Sequence, residues 1–175
     1  LEDMMNPLIQ ALLAFDGKQV APLKQGLAAA DSDDFLALTD YFSHDNVVFQ
    51  TGATWLVKSA LERSKEVPAN VVEAMFDAAD QYRHWEPKLH ALQSVQFLDF
   101  AQIKREKVAA ALPALSDDKK TLVQVWALDA DVRLHVENES QLNRLQQKLN
   151  MALEKGAASL KARARQLKNE FKALD

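Results

Sequence analysis

Asp131 and His135 stand four residues apart, the spacing that sets two side chains over one another on a helix. A carboxylate so placed could orient an imidazole for proton transfer or share a metal ion with it. Two ligands make half a metal site, and a histidine beside a carboxylate is also a common structural pair. Asp31, Asp33 and Asp34 have the look of a calcium loop, but Phe35 and Leu36 fall where such a loop needs a glycine turn and more oxygen ligands. Helix capping accounts for these aspartates better. Trp55, Trp85 and Trp126 offer flat surfaces for a base or a partner peptide. Trp126 lies in a strongly apolar run and reads as core, and Trp85 follows His84 at a helix start and reads as packing against a turn. Trp55 falls opposite the apolar stripe of its helix, on the side of Thr51, Lys58 and Glu62.

Several chemistries lack their residues. Gly17, Gly26, Gly52 and Gly156 are too far apart for a phosphate-binding glycine loop, and none sits in a nucleophile elbow. No cysteine is present, so there is no disulfide frame, thiolate metal site or thiol nucleophile. No motif asks for a cofactor. The chain carries 21 Lys and Arg against 25 Asp and Glu, a net charge of −4, which argues against nucleic-acid binding by bulk electrostatics. That charge is uneven: residues 155–175 hold 6 basic and 2 acidic side chains, net +4, and the preceding 154 hold 15 and 23, net −8. Lys155, Lys161, Arg163, Arg165, Lys168 and Lys172 make this tail a candidate for nucleic acid or acidic lipid. The interleaved Ala157, Leu160, Ala164, Leu167 and Phe171 favour the wet side of an amphipathic helix.

The elements that must carry these residues are helices. Four glycines and five prolines in 175 residues are too few for a turn-rich β-sandwich, and a chain of this length buries a core as one domain without a metal. Phe35, Leu38 and Phe42 begin the periodicity after the capping cluster at Asp31 to Asp34, and Phe49, Ala53, Leu56, Val57 and Ala60 form a second stripe. Pro68 opens a third helix with Val71, Met75, Ala78 and Tyr82 on one face. Leu89, Ala91, Leu92, Val95 and Leu98 carry a fourth. A fifth runs from about Gln102 to Ser116. The sixth, from about Lys119, is apolar nearly all round, with Val123, Val125, Trp126, Leu128, Ala130, Val132, Leu134 and Val136, and so must be covered on more than one side. The stripe from Leu142 to Leu174 can supply that cover. Residues 141–174 are either a hairpin broken at Gly156, the reading we prefer, or one helix of roughly 50 Å. Eight to ten helices and no sheet are expected. No apolar run reaches the roughly 18 residues of a membrane span, and the first residues have no basic-then-apolar leader pattern. A reducing cytoplasm is the expected compartment, although a cysteine-free chain survives equally in a periplasm.

Ala53, Ala91 and Ala127 superpose the stripes at spacings of 38 and 36 residues, bringing Leu56, Ser94 and Ala130 together, and Ala60, Leu98 and Leu134. The unit is an antiparallel helix pair, which buries its apolar face only against neighbouring units. In this register Asp131 replaces Val57 and Val95, while Gln93 and Gln96 take the places of Trp55 and Lys58.

Here the chain resembles the HEAT-repeat family of α-solenoids, most clearly in Ala111-Leu112-Pro113-Ala114-Leu115-Ser116-Asp117-Asp118 followed by Val123, Ala127 and Leu134. Leu112, Pro113, Asp118, Val123 and Ala127 match the family's pattern. Gln124 stands where the usual arginine would be, and Pro87 where a valine would be. The resemblance covers three units over residues 33–137. It implies an all-α superhelical stack of helix pairs, closed here by a C-terminal helical cap or arm over residues 141–174. It also implies a non-enzymatic role in binding a protein partner, along a groove of Thr51, Trp55, Lys58, Glu62, Gln93 and Gln96. The alternative it carries is nucleic-acid binding, as in HEAT-like DNA-repair glycosylases, which the net charge and the short array oppose. A role toward a bound chromophore rests on family analogy alone.

Overall fold

The computed structural model describes residues 5–175, which form helices and turns without a strand. The chain opens on two short helices that the periodicity did not reveal, α1 (Pro7–Ala14) and α2 (Ala21–Ala29). Asn6 caps α1, accepting from the backbone N–H of Leu8 at 2.9 Å and of Ile9 at 3.3 Å, and Pro7 occupies the first turn. Both helices are too short to show a long stripe. They meet at Gly26, where a Cβ would lie 2.5 Å from that of Ala11, so contact at this distance requires glycine. Gly52 admits Leu12 and Phe15 in the same way.

The capping cluster is as expected in one respect: Asp34 Oδ2 accepts from the N–H of Asp31 at 2.7 Å. The segment it opens, Ser32–Tyr41, is wound as a 3-10 helix rather than an α-helix. Side chains three apart eclipse in that winding, and Phe35 and Leu38 are fully buried on one side. Then follow α3 (Val47–Glu62), α4 (Ala69–Asp77), α5 (Trp85–Ser94), α6 (Arg105–Ser116) and α7 (Thr121–His135). Helix α6 begins three residues later than expected, because the N–H groups of Gln102 and Ile103 turn back to the carbonyl of Asp99. Pro87, at odds with the family pattern, lies in the first turn of α5, where a missing N–H costs no helical bond.

Successive elements alternate between two rows. The 3-10 segment, α4 and α6 pack side by side in the first, and α3, α5 and α7 in the second. The second-row helices start at Val47, Trp85 and Thr121, so their starts repeat the alanine spacing. Ala53 and Ala91 are fully buried, and Ala127 is buried with them in one continuous core. Small side chains here let adjacent helices approach while Leu56, Met75, Phe76 and Leu92 fill the space around them.

The C-terminal segment is two helices, α8 (Glu139–Lys155) and α9 (Ala158–Glu170), parted at Gly156. Leu145, Leu149, Ala152, Ala164 and Leu167 bury Leu128 and Val132 of α7 in a second apolar cluster. Helix α9 starts 37 residues after α7, which puts the fully buried Ala164 in the column of Ala53, Ala91 and Ala127. The hairpin thus continues the spacing as a fourth pair, with α9 packed along α7 in the second row.

Candidate functional site

Helix α7 carries two buried carboxylates, Asp129 and Asp131, with side chains 0% and 4% exposed. Two residues apart on a helix, they point to nearly opposite flanks. Asp131 faces α8. Arg144 grips it with two bonds, Nη1 to Oδ2 at 2.8 Å and Nη2 to Oδ1 at 2.9 Å. Lys148 Nζ donates to Oδ2 at 2.7 Å, and His135 Nδ1 lies 2.9 Å from Oδ1. Burial pushes the Asp131 carboxyl up, but the hydrogen bonds from Arg144 and Lys148 and their charges outweigh it and hold the group well below the usual carboxylate range. The pair read from the sequence therefore exists, with its carboxylate fully engaged by two further cations from another helix. With both oxygens bonded in this way, the Asp131 carboxylate is a poor proton acceptor.

Asp129 faces α9. Its oxygens take Arg133 Nε at 2.7 Å and Arg163 Nη1 at 3.4 Å. Arg133 then reaches Glu170 through Nη1 at 2.8 Å and Nη2 at 3.0 Å, and its hydrogen bond holds the Glu170 carboxyl below its ordinary value. Arg163 also lies over the Trp126 ring, 4.2 Å from its centre. Trp126 is half-buried under this arginine rather than enclosed in the core. Arg144, Lys148 and Glu170 carry no sequence signal, because their partners lie on another helix; Asp129 and Arg133 stand four apart on α7, the spacing of Asp131 and His135, and could have been found by it.

The proposed groove residues are dispersed along the second row. Thr51 is buried and faces no solvent; its neighbour Thr54 places Oγ1 2.9 Å from His90 Nδ1 across the α3–α5 seam. Trp55 is half-buried against the core, and Lys58 pairs with Glu62 at 3.3 Å. Gln93 and Gln96 are partly exposed on and just after α5, with Gln96 Nε2 donating to the Gln93 carbonyl at 3.0 Å. Trp85 packs partly buried, with Lys120 Nζ 4.5 Å from its ring centre. In the tail, Arg163 is turned inward, Lys168 holds Asn150 at 3.1 Å, and Arg165 is exposed.

Among the described residues no group of three or more His, Asp or Glu side chains is placed to hold a metal ion, and no helix is long and apolar enough to cross a membrane. Comparison with protein-family models, curated proteins and solved structures gives no match.

Proposed function

We propose that the chain is a HEAT-like helical scaffold that binds a protein partner along the second-row face of α3 and α5. One observation carries this reading. Helices α3 and α5 lie side by side with Trp55 and Gln93 eight residues from their respective starts, and Lys58 on α3 and Gln96 in the 3-10 turn after α5 follow each of them by three residues. A half-exposed tryptophan beside polar side chains is the composition of an anchoring patch. The two buried carboxylate clusters support it from the other side, since both are spent on holding α8 and α9.

A photo-crosslinking residue placed in turn at positions 55 and 96 tests the reading. The same partner should be trapped from both positions, and Trp55→Phe with Lys58→Gln, which keep most of the packing on the core, should abolish capture while the helical spectrum is retained at the assay temperature. Full capture by the double variant would reject this face. The nucleic-acid alternative is weakened by the commitment of Arg144, Lys148 and Arg163 to internal carboxylates. Duplex titration at physiological salt should show no affinity.

A further inference from the structure

The third and fourth helix pairs separate on one side. In the second row α9 packs along α7, but α8 makes no comparable contact with α6 in the first row; it leans on α9 and on the edge of α7. The gap is a cleft of about 480 Å³ bordered by Ser116 of α6, Gln124 and Leu128 of α7, Met151 and Lys155 of α8, and Leu160 of α9. Sites for small organic ligands have volumes of roughly 300–1,000 Å³.

The lining is apolar on its floor and of one sign on its rim. Met151 is 63% exposed here, which an unbranched, adaptable side chain tolerates best where something can pack on it. The charged residues bordering the cleft are Lys148 and Lys155, with no Asp or Glu among them. The first turns of α7 and α9, which border it, contain no acidic residue either. Lys148 is held by Asp131, but Arg144 already matches that carboxylate, so the three together keep a positive surplus. Lys155 is exposed and pairs with no acid of the described residues.

We propose that this cleft binds a small amphipathic organic anion, a medium-chain alkyl carboxylate, with the chain against Met151 and Leu160 and the carboxylate on Lys155. The inference stands apart from the second-row face and survives its failure. The charge selects an anion, and the apolar floor selects a molecule with a hydrocarbon body over a bare inorganic ion.

Isothermal titration of the full chain with monomeric octanoate, nonanoate and decanoate tests this. Saturable binding at one site is expected, tightening by about four-fold per added methylene. Lys155→Glu and Met151→Asp change exposed side chains, so helix content and melting midpoint should hold while decanoate binding weakens by about ten-fold or more. Decyltrimethylammonium, with the same chain and the opposite charge, should bind far more weakly. Absence of saturable decanoate binding to the folded wild-type chain would overturn the proposal. So would an unchanged affinity in Lys155→Glu, or equal binding of the cationic amphiphile. Sedimentation with phosphatidylglycerol vesicles, in the absence of decanoate binding, would assign the lysines to a membrane surface instead and likewise overturn it.

Discussion

Arg163 stands on α9 where Trp126 stands on α7, 37 residues earlier, and its guanidinium lies 4.2 Å from the centre of that indole ring. The same guanidinium donates to the buried Asp129 at 3.4 Å. One side chain thus joins the fourth pair to the third through a planar stack and a charge-assisted bond, at the place where His90 joins α5 to α3. Arg163→Ala should cost about 2 kcal/mol, combining the lost stack with a weakened charge pair. Arg163→Lys should recover little of it, because an ammonium cannot stack as a flat group. Urea unfolding of both variants, with Trp126→Leu to close a double-mutant cycle, measures the coupling directly.

Asp131 makes stability depend on acid in a defined direction. Its carboxyl titrates below the ordinary value in the fold, so the unfolded chain takes up the proton first as pH falls. Its contribution is complete above the unfolded value of about 3.9 and is lost on the way down to the folded one. Arg144 and Lys148 are nearly half exposed, which screens them. Asp131→Asn should therefore cost about 2 kcal/mol at neutral pH rather than the larger penalty of a fully buried pair. The gap between variant and wild type should shrink as pH falls below about 4. Chemical unfolding across that range checks it.

His90 acts over a higher window. Burial, with the charge of Lys58 added to it, pushes its imidazole down to about 3. Unfolded, it protonates at about 6.5, so neutral His90 stabilises the fold above that value and the contribution declines as pH falls toward the folded one. The loss approaches about 1.4 kcal/mol per pH unit. His90→Gln removes the titration and retains a partner for Thr54. Its urea midpoint should lie below that of the wild type at neutral pH and close the gap by about 2 kcal/mol at about pH 5.

Much of this architecture was legible because it is periodic. Ala53, Ala91 and Ala127 mark the second-row helices by spacing alone, and Ala91→Phe should overpack the stack and cost about 1 to 3 kcal/mol in thermal unfolding. Ala164 belongs to the same column, but it lies in a stripe that reads as cover for α7 rather than as a further unit. In the basic tail polarity alone cannot say that Arg163 turns inward, since an arginine stem and its flat head pack as well as they solvate. Asp131 and His135 were visible as a pair through local spacing. Arg144 and Lys148, on α8, enter only when the hairpin folds back across α7. Helices α1 and α2 are too short to show periodicity, and what fixes them, Gly26 against Ala11, is a contact between elements.

The strongest consequence of the fourth pair concerns its removal. Leu128 and Val132 are 3% and 0% exposed because α8 and α9 cover them, and Asp129 and Asp131 keep their charges paired through the same two helices. A chain ending at Glu139 would uncover the apolar seam and strip Arg144, Lys148 and Arg163 from the flanking carboxylates in one step. Arg133 and His135 remain, one for each carboxylate, in place of the two or three partners each has in the full chain. The truncated chain should aggregate or bind an apolar dye strongly, since a monomer seldom tolerates an exposed apolar patch beyond a few hundred Å². Its melting midpoint should also fall as the two carboxylates lose partners. Restoring solubility with Leu128→Lys and Val132→Glu would separate the effects: dye binding should disappear while the lower midpoint remains. A truncated chain that stays monomeric, dye-free and equally stable would mean that the hairpin is an appendage, and that three pairs suffice to close the core.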